Sequence, residues 1–359
     1  MTLRMRAVPC TDEMNRPATA RNSPRVPLAG SAIIGFETVD ALADGQVVDQ
    51  HPVAALAPDV HDRLTRARAP VCGLTLDRPR IMGILNLTPD SFSDGGALSD
   101  PGQAVAQALQ MAAHADILDI GGESTRPGAQ PVSPHQESAR VLPLIHAIRD
   151  AGIATPISID TRNASVARAA LDAGADMVND VSAMTHDPEM LAMVSDAGVP
   201  VCLMHAKGDP ATMQNDPRYG DVVGEVLDWL EERVAVALAA GIARDHILVD
   251  PGIGFGKTLE HNLTLLRRLS VFHDLGQPVL LGASRKRFIG TISGVECAGD
   301  RLAGSLAVAL HAAAQGAHVI RVHDVAETRQ ALALWRALAG FPAGELLAPP
   351  AVQGQGDKG

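Results

Sequence analysis

The stretch PISIDTRNASVARAALDAGADMVNDVSA, residues 156–183, contains one full copy of the pattern that decides the fold. It begins with a short apolar run, PISIDT (156–161), and ends with a second one, MVNDVSA (177–183). Between them, NASVARAALDAGA has apolar residues at three- and four-residue spacing, which is typical of an amphipathic helix, whereas short apolar runs are typical of buried strands. The stretch therefore predicts a strand, a crossover helix and a parallel strand.

The same alternation continues in both directions from this unit. Eight apolar runs follow one another, namely IMGILNLT (81–88), ILDIGG (117–122), PISIDT (156–161), MVNDVSA (177–183), PVCLMHA (200–206), HILVDPG (246–252), PVLLGAS (278–284) and HVIRVHD (318–324). Strands that are apolar along most of their length are typical of a parallel sheet covered by helices. Eight such units in about 260 residues predict a single α/β domain, a (β/α)8 TIM barrel. An open doubly wound sheet is the alternative.

Composition and charge limit the class of protein. The 359-residue chain is 46% hydrophobic and has a formal net charge of -11. This balance permits a large core and argues against a nucleic-acid or membrane-surface role, because both depend on broad basic patches. No apolar run approaches the roughly 18 residues of a membrane span, and the four cysteines lack metal-type spacing. We therefore expect a cytoplasmic globular protein.

The ends of the chain differ in composition from its middle. Residues 1–30, rich in Pro, Arg, Asn and Ser, and residues 343–359 are predicted to be disordered tails. A targeting peptide is an alternative for the first 25 residues, but they contain no apolar segment. A flexible tail or a misplaced start codon is favoured. Residues 31–70 form an N-terminal extension of undefined fold, and residues 71–342 form the catalytic domain.

Two local elements are expected before the barrel. APDVHDRLTRA (57–67) predicts a helix with Asp59 near its cap. Cys72–Leu76 and Arg80–Leu85 flank the turn-like Asp77-Arg78-Pro79, which predicts an N-terminal hairpin leading into the first barrel strand. We expect the extension to be dispensable for turnover, and a regulatory or interface role is the alternative.

Polar side chains cluster at the carboxyl ends of the apolar runs. They are Asn86, Asp119, Asp160, Asn179, Asp180, His205, Asp250, Ser284, Arg321 and His323. In a barrel these ends meet at one mouth, where barrel enzymes place their catalytic groups. A single Asp or Asn there is more often a helix cap or a turn residue. The set as a whole, with acids, amides, histidines and cations, favours an active site.

The segment DPGIGFGKT (250–258) resembles a phosphate-binding P-loop only at its end. The first glycine of that motif would fall at Pro251, so an ATPase is not predicted. Its glycines favour a tight turn that approaches a flat ligand. The histidines show no metal-type pairing, and we expect no tightly bound transition metal.

Two long loops rich in Gly, Pro, Ser and Asp, residues 86–100 and 121–134, follow the first two strands. Loops of this length and composition often bind substrate, although inert surface loops are the alternative. Because both emerge at the polar rim, we interpret them as substrate loops.

The motifs at this rim resemble those of the dihydropteroate synthase family. They are NLTPDSFSDGG (86–96), DIGGESTRPGA (119–129), SIDT (158–161), NDVSA (179–183), LMH (203–205), DPGIGFGKT (250–258), SRK (284–286) and R-x-HD (321–324). The similarity covers roughly residues 72–340 and implies a transferase of folate synthesis. It would join 6-hydroxymethyl-7,8-dihydropterin diphosphate to 4-aminobenzoate and release diphosphate, by a dissociative route.

A pterin offers two adjacent donors, the 2-amino group and N3–H, that suit one carboxylate, and two acceptors, O4 and N5, that suit an ammonium. Asp250 and Lys286 fit these groups. The resemblance completes the pterin site with Asp160, Asn179, Met204, Phe255 and Gly282. It implies Lys286, Arg321 and Asp160 as the catalytic residues.

The diphosphate requires cations and donors. Arg321 can bind it bidentately and His323 can donate, while the resemblance implies Asn86 as a contact for Mg2+, which usually keeps several waters. For 4-aminobenzoate the resemblance implies Phe92, Thr125, Arg126 and Pro127. The carboxylate could also use Ser284 and the amides at the start of the following helix.

Alternatives and departures remain at this stage. A methyltetrahydrofolate-dependent methyltransferase would share the acidic pterin pocket but would need no diphosphate site, and a non-catalytic pterin-binding paralogue is the other rival. Lys207 and Asp209, which differ from many family members, could alter the rim. The family commonly forms dimers, so the resemblance implies a homodimer, for which the apolar segment Leu302–Ala313 could serve.

Overall fold

The N-terminal extension folds as a small antiparallel sheet. The structure, a computed structural model, describes residues 3–11, 25–87, 101–124, 132–209 and 212–341. The extension contains β1 (Arg4–Cys10), β2 (Val26–Pro27), β3 (Gly35–Ala43), β4 (Gln46–Pro52) and helix α1 (Pro58–Thr65). Strand β3 pairs with each of the other three strands. The helix expected over 57–67 is thus confirmed.

The prediction that residues 1–30 are disordered is wrong for β1. The arginines that suggested a solvated tail are paired with distant acids: Arg6 binds Asp40, and Arg4 binds Asp228 and Glu231 on the barrel. Ala7, which follows Arg6, is fully buried. Local composition could not reveal these partners. Residues 12–24 and the predicted C-terminal tail lie outside the described residues.

Eight parallel strands form the barrel, as predicted. They are β5 (Arg80–Asn86), β6 (Ile117–Gly121), β7 (Ile157–Asp160), β8 (Met177–Asp180), β9 (Val201–Met204), β10 (Ile247–Asp250), β11 (Leu280–Gly282) and β12 (Val319–Val322). Strands β5 to β10 pair in chain order, and β12 joins β5 to β11. A parallel bridge between Val249 and Val279 brings β10 against β11 and closes the ring. The open-sheet alternative is therefore excluded.

Helices cover the outside of the barrel and alternate with its strands. Their bounds are α2 (Pro101–Ala112), α3 (Pro134–Asp150), α4 (Ala164–Asp172), α5 (Met190–Ala197), α6 (Val222–Ala239), α7 (Leu259–Arg267), α8 (Arg287–Ser293), α9 (Leu302–Ala314) and α10 (Val325–Leu338). Strand β11 is followed by two helices, α8 and α9. The short α8 starts directly after Lys286, so this strand end brings an additional helix start to the rim.

An N-terminal hairpin is present, but its paired strands are β3 and β4. The predicted turn at Asp77-Arg78-Pro79 does not join two paired strands. Val71 and Leu74 form one antiparallel bridge around Cys72 and Gly73, both at positive φ. The segment that follows is not held by backbone pairing between strands. Instead, the Arg80 side chain donates to the Thr75 carbonyl.

Apolar side chains fill the amino-terminal half of the barrel interior. Met82, Ile117, Met177, Cys202, Leu248, Leu280 and Val319 meet there beneath Val71, Leu74 and Leu76. Every one of these barrel residues is at most 1% exposed. These described residues close the amino-terminal end of the barrel, so a ligand can enter from the opposite mouth.

Within the part of the chain that the structure describes, no helix has the length and apolarity needed to cross a membrane.

Candidate active site

A cavity of about 770 Å3 opens at the carboxyl ends of the barrel strands. The described residues that were predicted to bind substrate or metal line it, namely Asn86, Asp160, Asn179, Met204, Asp250, Phe255, Gly282, Ser284, Lys286, Arg321 and His323. Barrel geometry brings them together from seven different strand ends. Asp119, Asp180 and His205, which were predicted for the same polar set, are not among its lining residues. The predicted aminobenzoate residues Phe92, Thr125, Arg126 and Pro127 lie outside the described residues.

Arg321 on β12 lies between two carboxylates. Its Nε donates to Asp119 at 2.6 Å and its Nη2 donates to Asp160 at 2.6 Å. Burial lowers the pKa of Arg321, but the two acids outweigh burial and raise it above its usual value. Burial raises the pKa of Asp160 to about 7, and Asp119 adds to this rise while Arg321 opposes it. The single Arg321 guanidinium therefore pairs with two carboxylates. This part of the cavity, which we call its floor, retains excess negative charge.

Asp119 has a larger part in this floor than its sequence position suggested. It is fully buried, and its Oδ2 accepts from both Arg321 and the Asn179 amide, the latter at 3.4 Å. Its Oδ1 is buried without a hydrogen-bond partner among the described residues. Asp119 thus links Asn179 on β8 to Arg321 on β12. Only its place at a strand end had marked it.

Asp250 and Lys286 face the cavity from β10 and from the start of α8. Asp250 Oδ1 accepts from the Gly252 amide at 2.7 Å, and the Lys286 ammonium donates to the Ile253 carbonyl. Burial raises the pKa of Asp250, and Lys286 opposes that rise. Burial lowers the pKa of Lys286 to about 8, with Asp250 opposing. Carboxylate and ammonium thus help to keep each other ionised in a poorly solvated site.

Phe255 and Gly282 shape the space beside these charges. The Lys286 Nζ lies 4.6 Å from the centroid of the Phe255 ring. A Cβ at Gly282 would lie 3.6 Å from the Arg321 side chain and 3.7 Å from the Asp250 carboxylate. Any larger side chain would therefore fill the floor between these two residues. Met204, which is 3% exposed, ends β9 nearby.

The loops after β11 and β12 are joined by two side-chain contacts. His323 Nδ1 lies 3.1 Å from the Ser284 hydroxyl, which also accepts from the His323 amide at 3.3 Å. Arg285, at a positive φ of 58°, forms an ion pair with Asp324. Ser284 and His323 are thus one connected group at the cavity edge.

Lys257 is the main residue that sequence reasoning missed. It had been noticed only as part of a false P-loop, yet its ammonium is 3% exposed and contacts His205, Gly252 and Phe255. The ammonium therefore points into the protein rather than toward a phosphate, which agrees with the rejection of an ATPase. Lys207 does not line the cavity, because its Nζ contacts the Arg218 carbonyl at 2.6 Å and Glu225 at 3.3 Å.

The described residues contain no group of three or more acidic, histidine or cysteine side chains placed to hold a metal ion. Asn86 Oδ1 and the Asp160 side chain both lie 3.4 Å from the position that a Cβ on Gly121 would take. An amide oxygen suits Mg2+, which binds few protein ligands and keeps waters and substrate oxygens. Asn86 is therefore the residue here that could hold a magnesium ion.

This rim is that of a (β/α)8 barrel whose open cavity is lined by acids, a lysine and an arginine. The family described as pterin binding enzyme matches residues 82–323. A dihydropteroate synthase of Neisseria meningitidis serogroup C is 51% identical over 269 residues, which cover 73% of this chain and 94% of that protein.

Solved structures give the same result. The Xanthomonas albilineans dihydropteroate synthase with 4-aminobenzoic acid is 50% identical, with a TM-score of 0.70, and the match covers 75% of this chain and 96% of that one. The same enzyme in complex with 7,8-dihydropteroate has 48% identity and a TM-score of 0.67, covering 75% and 97%. The chain belongs to the dihydropteroate synthase family.

Proposed function

We propose that the protein condenses 6-hydroxymethyl-7,8-dihydropterin diphosphate with 4-aminobenzoate to form 7,8-dihydropteroate and diphosphate. The observation that carries this proposal is the buried pair of Asp250 and Lys286 beside Arg321 in one open cavity. The relatives of known structure that contain 4-aminobenzoic acid and 7,8-dihydropteroate support it.

The pterin would lie on the barrel floor. Asp250 would accept from its 2-amino group and N3–H, and Lys286 would donate to O4 and N5. Asp160 and Asn179 would complete the ring edge, while Met204 and Phe255 would cover the ring faces above Gly282. Analogues that lack these groups would leave buried charges unpaired, at a cost of several kcal/mol, so the floor would select its substrate strongly.

The diphosphate would lie at the edge formed by Asn86, Arg321 and His323. The raised pKa of Arg321 keeps it a cation throughout the physiological range. Asn86 would hold Mg2+, which would neutralise charge on the departing diphosphate. Because Arg321 also holds Asp119 and Asp160, the diphosphate edge and the pterin floor share one residue.

The reaction would break the bond between the exocyclic carbon of the pterin and the diphosphate oxygen, with the electron pair leaving on diphosphate. The amine nitrogen of 4-aminobenzoate would form the new bond and lose its proton to water. An aromatic amine is unprotonated near neutral pH, so charge stabilisation and exclusion of water contribute more than a strong base. Phe92, Thr125, Arg126, Pro127 and Ser284 are the residues proposed to hold 4-aminobenzoate.

Product analysis tests this proposal. Purified full-length protein, incubated with both substrates and Mg2+, should yield 7,8-dihydropteroate by liquid chromatography and mass spectrometry, and chelation of the metal should stop its formation. A protein that binds pterin without forming this product would instead fit the non-catalytic rival.

We also propose a homodimer in the cytoplasm. Cys72, Cys202 and Cys297 are free thiols, as expected in a reducing compartment. Light scattering of the purified protein should give twice the chain mass of 37.5 kDa, and a monomer would contradict the dimer.

A further inference from the structure

Lys257 is buried and also lines the cavity, but it takes no part in the chemistry described above. Its Nζ lies 2.9 Å from the Gly252 carbonyl, 3.1 Å from the Phe255 carbonyl and 3.3 Å from the His205 carbonyl. A fourth contact, of 2.9 Å, is made with His205 Nδ1. Three of these partners are carbonyl oxygens, and His205 Nδ1 accepts in the tautomer that carries its proton on Nε2, so the four acceptors share the three N–H donors of the ammonium.

These contacts join two loops of the rim. His205 follows β9, whereas Gly252 and Phe255 belong to the turn after β10. The two backbones are so close that a Cβ at Gly252 would lie 1.9 Å from the His205 carbonyl oxygen. The carbonyl oxygens of Gly252 and His205 both accept from the Lys257 ammonium, which therefore bridges the two backbones. The His205 ring is itself fixed edge-on against Trp229 of α6, with centroids 5.0 Å apart. Lys257 thus anchors the turn to the barrel wall.

The anchored turn carries three contacts of the pterin pocket. The Gly252 amide orients the Asp250 carboxylate, the Ile253 carbonyl accepts from Lys286, and Phe255 lies beside the Lys286 ammonium. A shift of this turn would therefore move Asp250, Phe255 and Lys286 together. The diphosphate edge at Asn86, Arg321 and His323 lies at the ends of β5 and β12 and would not move with it.

The charge of Lys257 also acts on Asp250, in addition to the contacts that position it. The charged groups that influence Asp250 are Lys286 from α8, Arg321 from β12 and Lys257 from its own turn, and all three lower its pKa against the effect of burial. The Cys202 thiol on β9 has a pKa far above its usual value because of burial, so it stays neutral. Burial lowers the pKa of Lys257, and Asp250 opposes this.

We propose that Lys257 is a positioning residue for the pterin pocket. Its buried ammonium binds the turn of residues 250–258 to the loop after β9 and so sets the placement of Asp250, Phe255 and Lys286. This inference rests on the proposed function, since it presumes that the floor binds a pterin.

The test compares Lys257→Met with Lys207→Met in the full-length protein. Lys207 is a matched control, because it lies in the adjacent loop but its side chain is exposed and bonded to Arg218 and Glu225. Dissociation constants are measured by fluorescence for 6-hydroxymethylpterin, which lacks diphosphate, and by calorimetry for inorganic diphosphate with Mg2+. Displacement of binding groups by about 1 Å can cost about 100-fold. Lys257→Met should therefore weaken pterin binding by about 100-fold and diphosphate binding by less than about threefold, and Lys207→Met should change neither.

A pH series separates positioning from simple destabilisation. Loss of the Lys257 cation should raise the pKa of Asp250, so the acid limb of pterin binding should move to higher pH in Lys257→Met but stay in place in Lys207→Met. If Lys257→Met does not fold, Lys257→Gln retains two amide donors and should weaken pterin binding by about tenfold.

Wild-type pterin affinity and an unmoved acid limb in a folded Lys257 variant would overturn the inference, as would equal losses of pterin and diphosphate binding. Failure of the proposed function would look different, because the wild-type protein itself would then not bind the pterin.

Discussion

The two ends of the barrel both bury charged residues, but the buried carboxylates differ in how completely they are paired. At the amino-terminal end, Asp116 is fully buried and accepts from the Ile81 amide while pairing with Arg78, Arg80 and Arg329. At the mouth, Arg321 is shared by Asp119 and Asp160, and one oxygen of Asp119 has no partner among the described residues.

This difference indicates that the buried charges contribute to stability at the amino-terminal end and to function at the mouth. A buried carboxylate that is surrounded by cations and amides holds elements together and has little capacity left for a ligand. A rim with too few partners for its acids retains hydrogen-bonding capacity and perturbed pKa values, which are typical of functional sites. Variants at the rim should therefore alter catalysis, and variants at the opposite end should alter stability.

The largest effect is expected for Lys286→Met. Because the ammonium is the proposed donor to the pterin and a partner of Asp250, its loss should lower kcat/KM by about 1000-fold, as for other buried donors that act on reacting substrates. Steady-state kinetics provide the measurement, with Lys207→Met as the matched control. A loss smaller than tenfold would remove Lys286 from the catalytic set.

Phe36→Ala, in the N-terminal extension and away from the rim, should give the reverse pattern. Phe36 is fully buried in the core of the extension, which packs against Trp335 of α10. Truncation of such a side chain costs about 3–5 kcal/mol of unfolding free energy. Urea denaturation should show this loss, while kcat/KM well below the midpoint stays within twofold of wild type. A fall in activity without a fall in stability would mean that the extension acts on the site.

A smaller and more selective effect is expected for Arg321→Lys. The substitution retains a cation but loses the planar fork that reaches two oxygens at once. We expect KM for the pterin diphosphate to rise about 100-fold, while the affinity for pterin without diphosphate changes by less than about threefold. Equal losses for both ligands would contradict a role at the diphosphate edge and would assign Arg321 to the floor alone.

The pH dependence should show the smallest change. Asp160, with its pKa raised to about 7, is protonated below that pH and is then a weaker acceptor for the pterin. Lys286, with its pKa lowered to about 8, loses its proton above pH 8. Pterin binding should therefore be bell-shaped, with an alkaline limb near pH 8 and an acid limb to which the carboxyl groups of Asp160 and Asp250 both contribute. In Lys286→Arg the alkaline limb should disappear, because arginine stays charged; an unmoved limb would assign it to another residue.

The same pKa shifts have consequences for stability. Folded Asp160 holds a proton more tightly than the unfolded chain does, so its contribution to stability is present below pH 3.8 and is lost as pH rises toward about 7. Ionisation of the floor thus destabilises the protein in the range where it would bind substrate. Bound ligand should restore this stability, which thermal denaturation with and without pterin at pH 8 would detect.

The residues at the strand ends were predictable from the sequence, because the alternation of apolar runs with helical patterns defines the barrel. The barrel then brings the residues at the end of each run to one mouth. Asp160, Asn179, Asp250 and Arg321 were placed in this way, before any distance was known. Lys257 was missed because its partners are backbone carbonyls of two loops, which no side-chain pattern indicates. The pairing of Arg321 with Asp119 also depends on distances across the barrel.

The extension was the least predictable region. Its fold depends on pairs such as Arg4 with Asp228, which are 224 residues apart, and on the packing of Phe36 and Leu64 against α10. Local composition instead suggested disorder for the first 30 residues. Because of these contacts, we expect removal of residues 1–70 to expose an apolar face of α10. The truncation would therefore affect stability before it affects turnover.

The most direct test of the account is the release of diphosphate in the presence of Mg2+, measured with and without 4-aminobenzoate. We predict one diphosphate for each 4-aminobenzoate consumed and for each 7,8-dihydropteroate formed. Release at the same rate without 4-aminobenzoate, or release without pteroate, would contradict the assignment of the rim to this condensation.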